Sequence, residues 1–378
     1  MGFTHLHVHT EYSLLDGSNK IKEYVARVKE LGMDSAAITD HGVMYGCIDF
    51  YRAAKEAGIN PILGCEVYVA PGSRFDKEMQ HGEDRYYHLV LLAENNQGYS
   101  NLMKIVSAGF VEGYYYKPRV DLEVLEKYHE GIIALSACLA GEIPRFLTRG
   151  LYEEGKRAAL RYQEIFGKNN FFLELQNHGI REQEIVNQQL VRMSSETGIE
   201  LVCTNDVHYT YAEDAGSHDI LLCIQTGKKV QDEDRMRYEG GQYYVKSEKE
   251  MAALFPYAPQ ALENTKKIGD RCHVEIEFGV TKLPKYDVPD GYTSWEYLNK
   301  LCWEGLEEKY HPVTEELKER LTYELNTIKT MGYVDYFLIV WDFIKYARDN
   351  DIMVGPGRGS AAGSIVSYSL GITQLDPI

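Results

Sequence analysis

Seven apolar runs of strand length, near residues 3–8, 35–39, 62–69, 87–93, 131–135, 171–176 and 200–204, alternate with helix-patterned segments. The helical pieces read Ile21 to Leu31 with Gly32 as a C-cap, Ile48–Ala57 before Gly58, Asn101–Gly109, Tyr152–Phe166, and Glu184–Thr197 before Gly198. This alternation selects a largely parallel sheet, because a strand and its parallel neighbour need a crossover, usually helical, between them. Seven such units predict an α/β fold with a parallel sheet closed into a barrel. An open doubly wound sheet is the alternative.

In a barrel of this kind the chemistry gathers at the carboxyl ends of the strands. Residues with metal-ligand chemistry fall mainly there. His7 and His9 close the first run, Asp40 and His41 follow the second, and Cys138 follows Ile132–Ser136. Gln176, Asn177 and His178 follow Phe171–Leu175, and Asp206 and His208 follow Leu201–Thr204. Glu66 and His88 lie inside their runs, so they fit this geometry less well. His5, His7 and His9 alternate, and alternate side chains of a strand share a face.

The candidate donors are His7, His9, Asp16, His41, Glu66, His88, Cys138, Asp206 and His208. One catalytic zinc uses about three protein ligands plus water, so nine donors imply two or three divalent metals. Glu66 is placed to bridge a pair. Two metals about 3.5–4 Å apart stabilise both the attacking and the leaving oxygen of a phosphoryl displacement. Imidazole with carboxylate suits zinc, iron or manganese, and a cysteine tilts the choice to zinc. His7, His9, Glu66 and Asp206 are the candidate catalytic set, because they would fix the charge and geometry of the cluster. Singly, several of these residues have plainer readings: Cys138 as a small core residue, Asp16 as a turn former, His41 as a helix start. His5 is assigned to the layer behind the ligands, and His178 either orients substrate at the rim or caps the next helix. His81, His129, His218, His273 and His311 read as surface residues.

A net charge of −17 argues against a general basic coat for nucleic acid, though not against a local cationic groove. The segment Tyr114-Tyr-Tyr-Lys-Pro-Arg119 offers such a groove: Lys117 and Arg119 for phosphates, tyrosines for unpaired bases. An ordinary surface loop is the alternative. The seven cysteines form no Cys-x-x-Cys pair, which disfavours a zinc ribbon or redox motif and fits a reduced cytoplasmic protein. No signal peptide is expected, and the longest apolar stretch, Tyr336 to Trp341, is too short to span a bilayer.

After about residue 285 the pattern changes, so two domains are expected, 1–283 and 284–378. Two helices are expected over Ser294–Tyr310 and Glu315–Thr330. Further on, Gly355-Pro-Gly-Arg-Gly-Ser-Ala-Ala-Gly-Ser364 reads as a phosphate cradle, with Gly357, Arg358, Gly359 and Ser360 as nucleotide-binding residues and a helix starting near Ala361. A glycine-rich turn capped by serine is the plainer reading.

His7-x-His9, Thr39-Asp-His41, Glu66, His88 and Asp206-x-His208 together resemble the polymerase-and-histidinol-phosphatase (PHP) superfamily. Leu6–Gly17, Leu135–Glu142 and Thr204–His208 are similar to the PHP domain of bacterial DNA polymerase III alpha subunits. The stretch Gly355–Ser364 is similar to that family's palm nucleotide loop. The resemblance covers the whole chain. It implies an α/β fold, a distorted seven-stranded (β/α) barrel of PHP type, followed by an incomplete palm segment. It also implies that the nine donors hold a trinuclear centre, and that the PHP domain is a metal-dependent 3′–5′ exonuclease within a replicative DNA polymerase. Implied partners are DNA, deoxynucleoside triphosphates, and replisome subunits such as the sliding clamp and a proofreading subunit; magnesium would serve the full-length polymerase. The paired polymerase carboxylates would follow residue 378, so this chain is expected to be an N-terminal fragment that does not polymerise DNA. Competing expectations are a small-molecule phosphoesterase of histidinol-phosphatase type and a non-catalytic, metal-stabilised scaffold for a proofreading subunit.

Overall fold

A computed structural model describes residues 2–78 and 84–378, which leaves His81 outside the described residues. The chain divides into two compact units, Met1–Ile276 and Glu277–Ile378.

Among the described residues the first unit carries eight strands: β1 (Ser35–Ile38), β2 (Asn60–Val69), β3 (Tyr87–Ala93), β4 (Tyr114–Tyr115), β5 (Lys117–Val120), β6 (Ile132–Leu135), β7 (Phe171–Leu175) and β8 (Leu201–Cys203). They hydrogen-bond in the order β4-β5-β2-β3-β6-β7-β8, with β1 also on β2. The amino-terminal run closes the ring. Ala37 and Thr39 N–H donate to His5 and Val8 O on one side, while His9 and Val207 N–H exchange bonds with Val207 and His7 O on the other. Seven segments therefore encircle one interior, as the alternation of runs predicts. The departure is β3, which pairs antiparallel with both β2 and β6. It presents its amino end, not its carboxyl end, to the face where the other strands finish.

Interior positions follow the two-residue period of the strands. Ile62, Val90, Leu92, Ile133, Leu135, Phe172 and Val202 form one buried cluster, closed off by Ile268 and Cys272 of helix Pro259–Arg271. The opposite parity, including Leu63, Cys65, Leu89, Leu91, Ile132, Ala134 and Leu173, packs in a larger cluster that includes Phe50, Leu102, Tyr162 and Leu190 of the surrounding helices. Continuing the inward parity towards one end of the ring turns apolar positions into Glu66, His88, Glu174, Gln176 and Thr204, all buried or nearly so. The same alternation that builds the core thus aims the polar residues into it.

Helix Tyr152–Phe166 keeps its sequence-derived limits, whereas Asn96–Val111 and Arg181–Thr197 start earlier than expected. Asn95 caps Asn96–Val111 by accepting from Gly98 N–H. Gly98 itself is obligatory, because a Cβ there would lie 1.8 Å from Gly131 O.

In the second unit, helices Ser294–Lys309, Glu315–Thr330 and Val334–Asp349 surround Leu298, Cys302, Leu321, Leu325 and Leu338. A 3-10 turn covers Gly359–Gly363, and the following helix is Ile365–Ser369, capped by Ser364. The helix expected near Ala361 therefore begins four residues later, because the Ser364 hydroxyl takes the Ser367 N–H and sets the start.

Candidate metal centre

The nine sequence-derived donors meet at one end of the ring. Glu66, at the middle of β2, is the hub. Its Oε1 accepts from His88 Nδ1 at 2.8 Å and lies 3.3 Å from His7 Nε2; its Oε2 accepts from His41 Nδ1 at 2.6 Å. Asp206 Oδ1 lies 3.2 Å from both His7 Nε2 and His9 Nε2. Asp16 Oδ2 is 2.9 Å from His41 Nε2, and Asp16 Oδ1 is 4.0 Å from His208 Nε2. Cys138 Sγ stands 3.6 Å from His88 Nδ1 and 3.9 Å from Glu66 Oε1. Among the described residues three overlapping groups have donor atoms mutually within 4.8 Å: His9–His41–His208, His7–His9–Glu66 and His41–Glu66–His88.

Loops hold these groups under backbone strain. Leu15, Ala137 and Asp206 adopt positive φ of 62°, 62° and 43°. The first two directly precede Asp16 and Cys138. Left-handed backbone away from glycine is costly and is tolerated where the surroundings fix it, often at functional sites. Here Asp40 does part of that fixing. Its carboxylate accepts from Thr10 N–H, Thr10 Oγ and Ser13 Oγ at 2.6–2.8 Å, tying the His9–Asp16 turn to the end of β1.

The donor set fits divalent cations on its own chemistry. His7 Nδ1 donates to Glu174 at 2.7 Å, and His208 Nδ1 donates to Asp206 O at 2.7 Å. Fixing one ring nitrogen in this way turns the other towards a metal. His7 Nε2 and His9 Nε2 then face each other at 3.2 Å. Asp16 Oδ1 is buried without a hydrogen-bond partner, although such atoms normally have one, and His41 Nε2 and Asp206 Oδ1, despite their close ionic neighbours, make no well-aligned hydrogen bond. The electrostatics agree. Burial opposes ionisation of Glu66, yet His88 and His41 hold its carboxyl well below the usual range. Burial likewise opposes protonation of His41, but Glu66 and Asp16 raise it to about 10. Burial, with His41 and His208 beside it, pushes His9 down to about 3. A carboxylate cluster that draws positive charge this strongly is one that a cation would satisfy.

Several residues sit elsewhere than the sequence reading expects. Arg119 is buried, and its guanidinium donates to the backbone carbonyls of Gly113, Arg74, Asp76 and Arg85. It braces this loop and is poorly placed to meet a phosphate, because it is buried and four hydrogen bonds to backbone carbonyls already engage all three of its nitrogens. Lys117 remains partly exposed, 5.4 Å over the Tyr68 ring. His218 is buried, not superficial, and donates to Asp16 O at 2.7 Å. His178 is also buried: its Nε2 donates to Asn205 O and its ring stacks on Tyr243 at 3.8 Å, so it sits below the rim. His5 donates to Lys246 O. His129, His273 and His311 are exposed, as expected, and so are Gly357, Arg358, Gly359 and Ser360. The residue missed is Glu174. Its signal was a lone charge inside the apolar run Phe171–Leu175, at inward parity with Gln176.

Comparison with known proteins relates the sequence to two families. The PHP domain family matches residues 5–178, and the family described as bacterial DNA polymerase III alpha NTPase domain matches residues 296–378. The DNA polymerase III subunit alpha of Borreliella burgdorferi is 49% identical over all of this chain and 33% of its own length. That of Treponema pallidum is 47% identical over all of this chain and 32% of its own length. Among solved structures, a two-domain protein from Bacteroides vulgatus, described as containing a predicted PHP-like metal-dependent phosphoesterase, aligns at 13% identity and a TM-score of 0.32. That alignment covers 70% of this chain and 62% of the other. Among the described residues no helix is long and apolar enough to cross a membrane. The chain spans about a third of the length of the curated relatives it matches; over that span it is similar to bacterial DNA polymerase III alpha subunits, and its first unit carries the match to the PHP domain family.

Proposed function

We propose that the first unit hydrolyses phosphodiester bonds as a metal-dependent 3′–5′ exonuclease, within a longer polypeptide that synthesises DNA. The observation that carries this reading is Glu66, whose two carboxylate oxygens serve overlapping donor groups in a buried pocket. His7, His9, Glu66 and Asp206, with Asp16, His41, His88, Cys138 and His208, would hold two or three cations, zinc by the cysteine, or manganese or iron. When bound, the cations supply stabilisation of phosphoryl oxygens and a nucleophile at neutral pH. The protein's own part is positional. Glu174 fixes the His7 tautomer, Asp40 holds the His9–Asp16 turn, and His218 holds the Asp16 backbone. Lys117 offers a cation to the substrate backbone. Arg358 and Ser360, exposed in the second unit, are the residues proposed to meet a deoxynucleoside triphosphate, with magnesium, in the longer polypeptide. DNA, a sliding clamp and a proofreading subunit are its proposed partners, in the cytoplasm.

The test is a primer bearing a 3′ mismatch, incubated with chain loaded in turn with zinc, manganese and iron. The expected result is metal-dependent release of 3′-terminal nucleotides, lost in Asp206→Asn at near-parent thermal midpoint. A stable Asp206→Asn with full activity overturns the assignment. A loaded parent inactive on DNA with all three metals supports a scaffold. Cleavage of small phosphomonoesters alone supports a histidinol-phosphatase type of activity.

A further inference from the structure

Tyr238 lies on the excursion between helix Ala215–Thr226 and the 3-10 turn Glu239–Gly241, a stretch outside the donor set. The excursion is pinned by Arg235, whose two terminal nitrogens each donate to the Asp219 carboxylate at 2.6 Å. That anchor seats the Tyr238 ring against His218 and Tyr243, at 5.0 and 4.7 Å between centroids, and edge-on to His208 at 4.7 Å. The phenol O–H donates to His208 Nε2 at 3.3 Å.

That acceptor is the informative one. His208 Nδ1 is committed to Asp206 O, so Nε2 carries the lone pair. Nε2 also faces Asp16 Oδ1, a buried oxygen without a hydrogen-bond partner. The lone pair that the phenol uses is therefore the one a cation on His208 would take. A partly buried hydroxyl that loses its acceptor needs another, because leaving it unpaired costs its desolvation. We infer that, in the loaded centre, the Tyr238 O–H donates to a non-bridging oxygen of the bound phosphoryl group, which makes Tyr238 a substrate-binding residue. This rests on the phosphoester reading above.

The experiment compares parent and Tyr238→Phe as the full chain, each loaded with zinc or manganese. Metal content is read by elemental analysis, and binding of inorganic phosphate and of thymidine 5′-monophosphate by calorimetry. The expected result is unchanged metal content and a roughly tenfold weaker affinity for both anions in Tyr238→Phe, the scale of one hydrogen bond to a charged group. KM on a primer should rise by a similar factor. Parent-like anion affinity in the variant overturns the inference and leaves the nuclease reading standing. Loss of metal from the variant also overturns it, since the phenol would then serve only to hold His208. A loaded parent that binds neither anion overturns the phosphoester reading and this inference with it.

Discussion

His88 Nδ1 reaches Glu66 Oε1 at 2.8 Å because β3 runs antiparallel to β2, with Glu66 opposite Val90 and His88 opposite Tyr68. The two side chains are diagonal neighbours on one face of the pair, close enough for direct contact. Reversing one strand thus lets the start of β3 serve the same pocket as the ends of the others.

Glu174 is the clearest test of how the layer behind the ligands works. It fixes the His7 ring from behind and also accepts from Thr204 and Gln176. Partners of this kind typically matter by about 10–100-fold in metal affinity. Glu174→Gln should weaken metal binding by that factor in a competitive chelator titration, with the fold retained by circular dichroism. Unchanged affinity would remove Glu174 from the site.

Lys117 and Arg119, two residues apart, should separate cleanly. Lys117→Ala should weaken single-strand binding and lower its salt slope by about one, as expected for one lost phosphate contact. Arg119→Ala should lower the thermal midpoint, because it leaves the carbonyls of Arg74 and Asp76 without their donor. Unchanged salt slope in the first variant, or unchanged midpoint in the second, refutes the respective assignment.

Metal loading should stabilise the first unit. A cation held at about 100 times its dissociation constant contributes about 2.7 kcal/mol to the folded state. Stripping the chain with a strong chelator should lower the melting transition of residues 1–276 by several degrees, and adding zinc back should restore it. A transition indifferent to chelator would argue against a resident metal.

Lys246 gives a pH signature. Burial lowers its ammonium from 10.5 to about 8, with Glu250 only partly compensating. The unfolded chain then holds more protons than the folded one between pH 8 and 10.5, so this group's contribution to stability rises with pH across that window. Below pH 8 its cost is full and constant. Parent stability relative to Lys246→Met, measured by urea unfolding, should rise from pH 8 to pH 10; a flat difference refutes it.

The ring was legible in the sequence because its strands are short apolar runs separated by amphipathic helices, and the donors because they follow those runs. What was not legible depends on direction and depth. The reversal of β3 leaves no mark in a period-two pattern, which reads the same both ways, so His88 looked misplaced inside its run. Arg119 looked like a surface cation because sequence shows its charge but not the carbonyls around it. His218 and Tyr238 lie on segments whose only link to the pocket is through space.

The ring closes where Leu6–His9 lies between β1 and Val207, and two of the proposed ligands, His7 and His9, sit on that seam. The last hydrogen bonds to complete the cylinder and the first donors of the centre are thus one piece of backbone. Any local opening that frays the seam must also release His7 and His9, and any cation held there must slow the fraying. Exchange of the His9 and Val207 amide hydrogens with solvent then becomes a clock for the residence of metal, readable without any substrate.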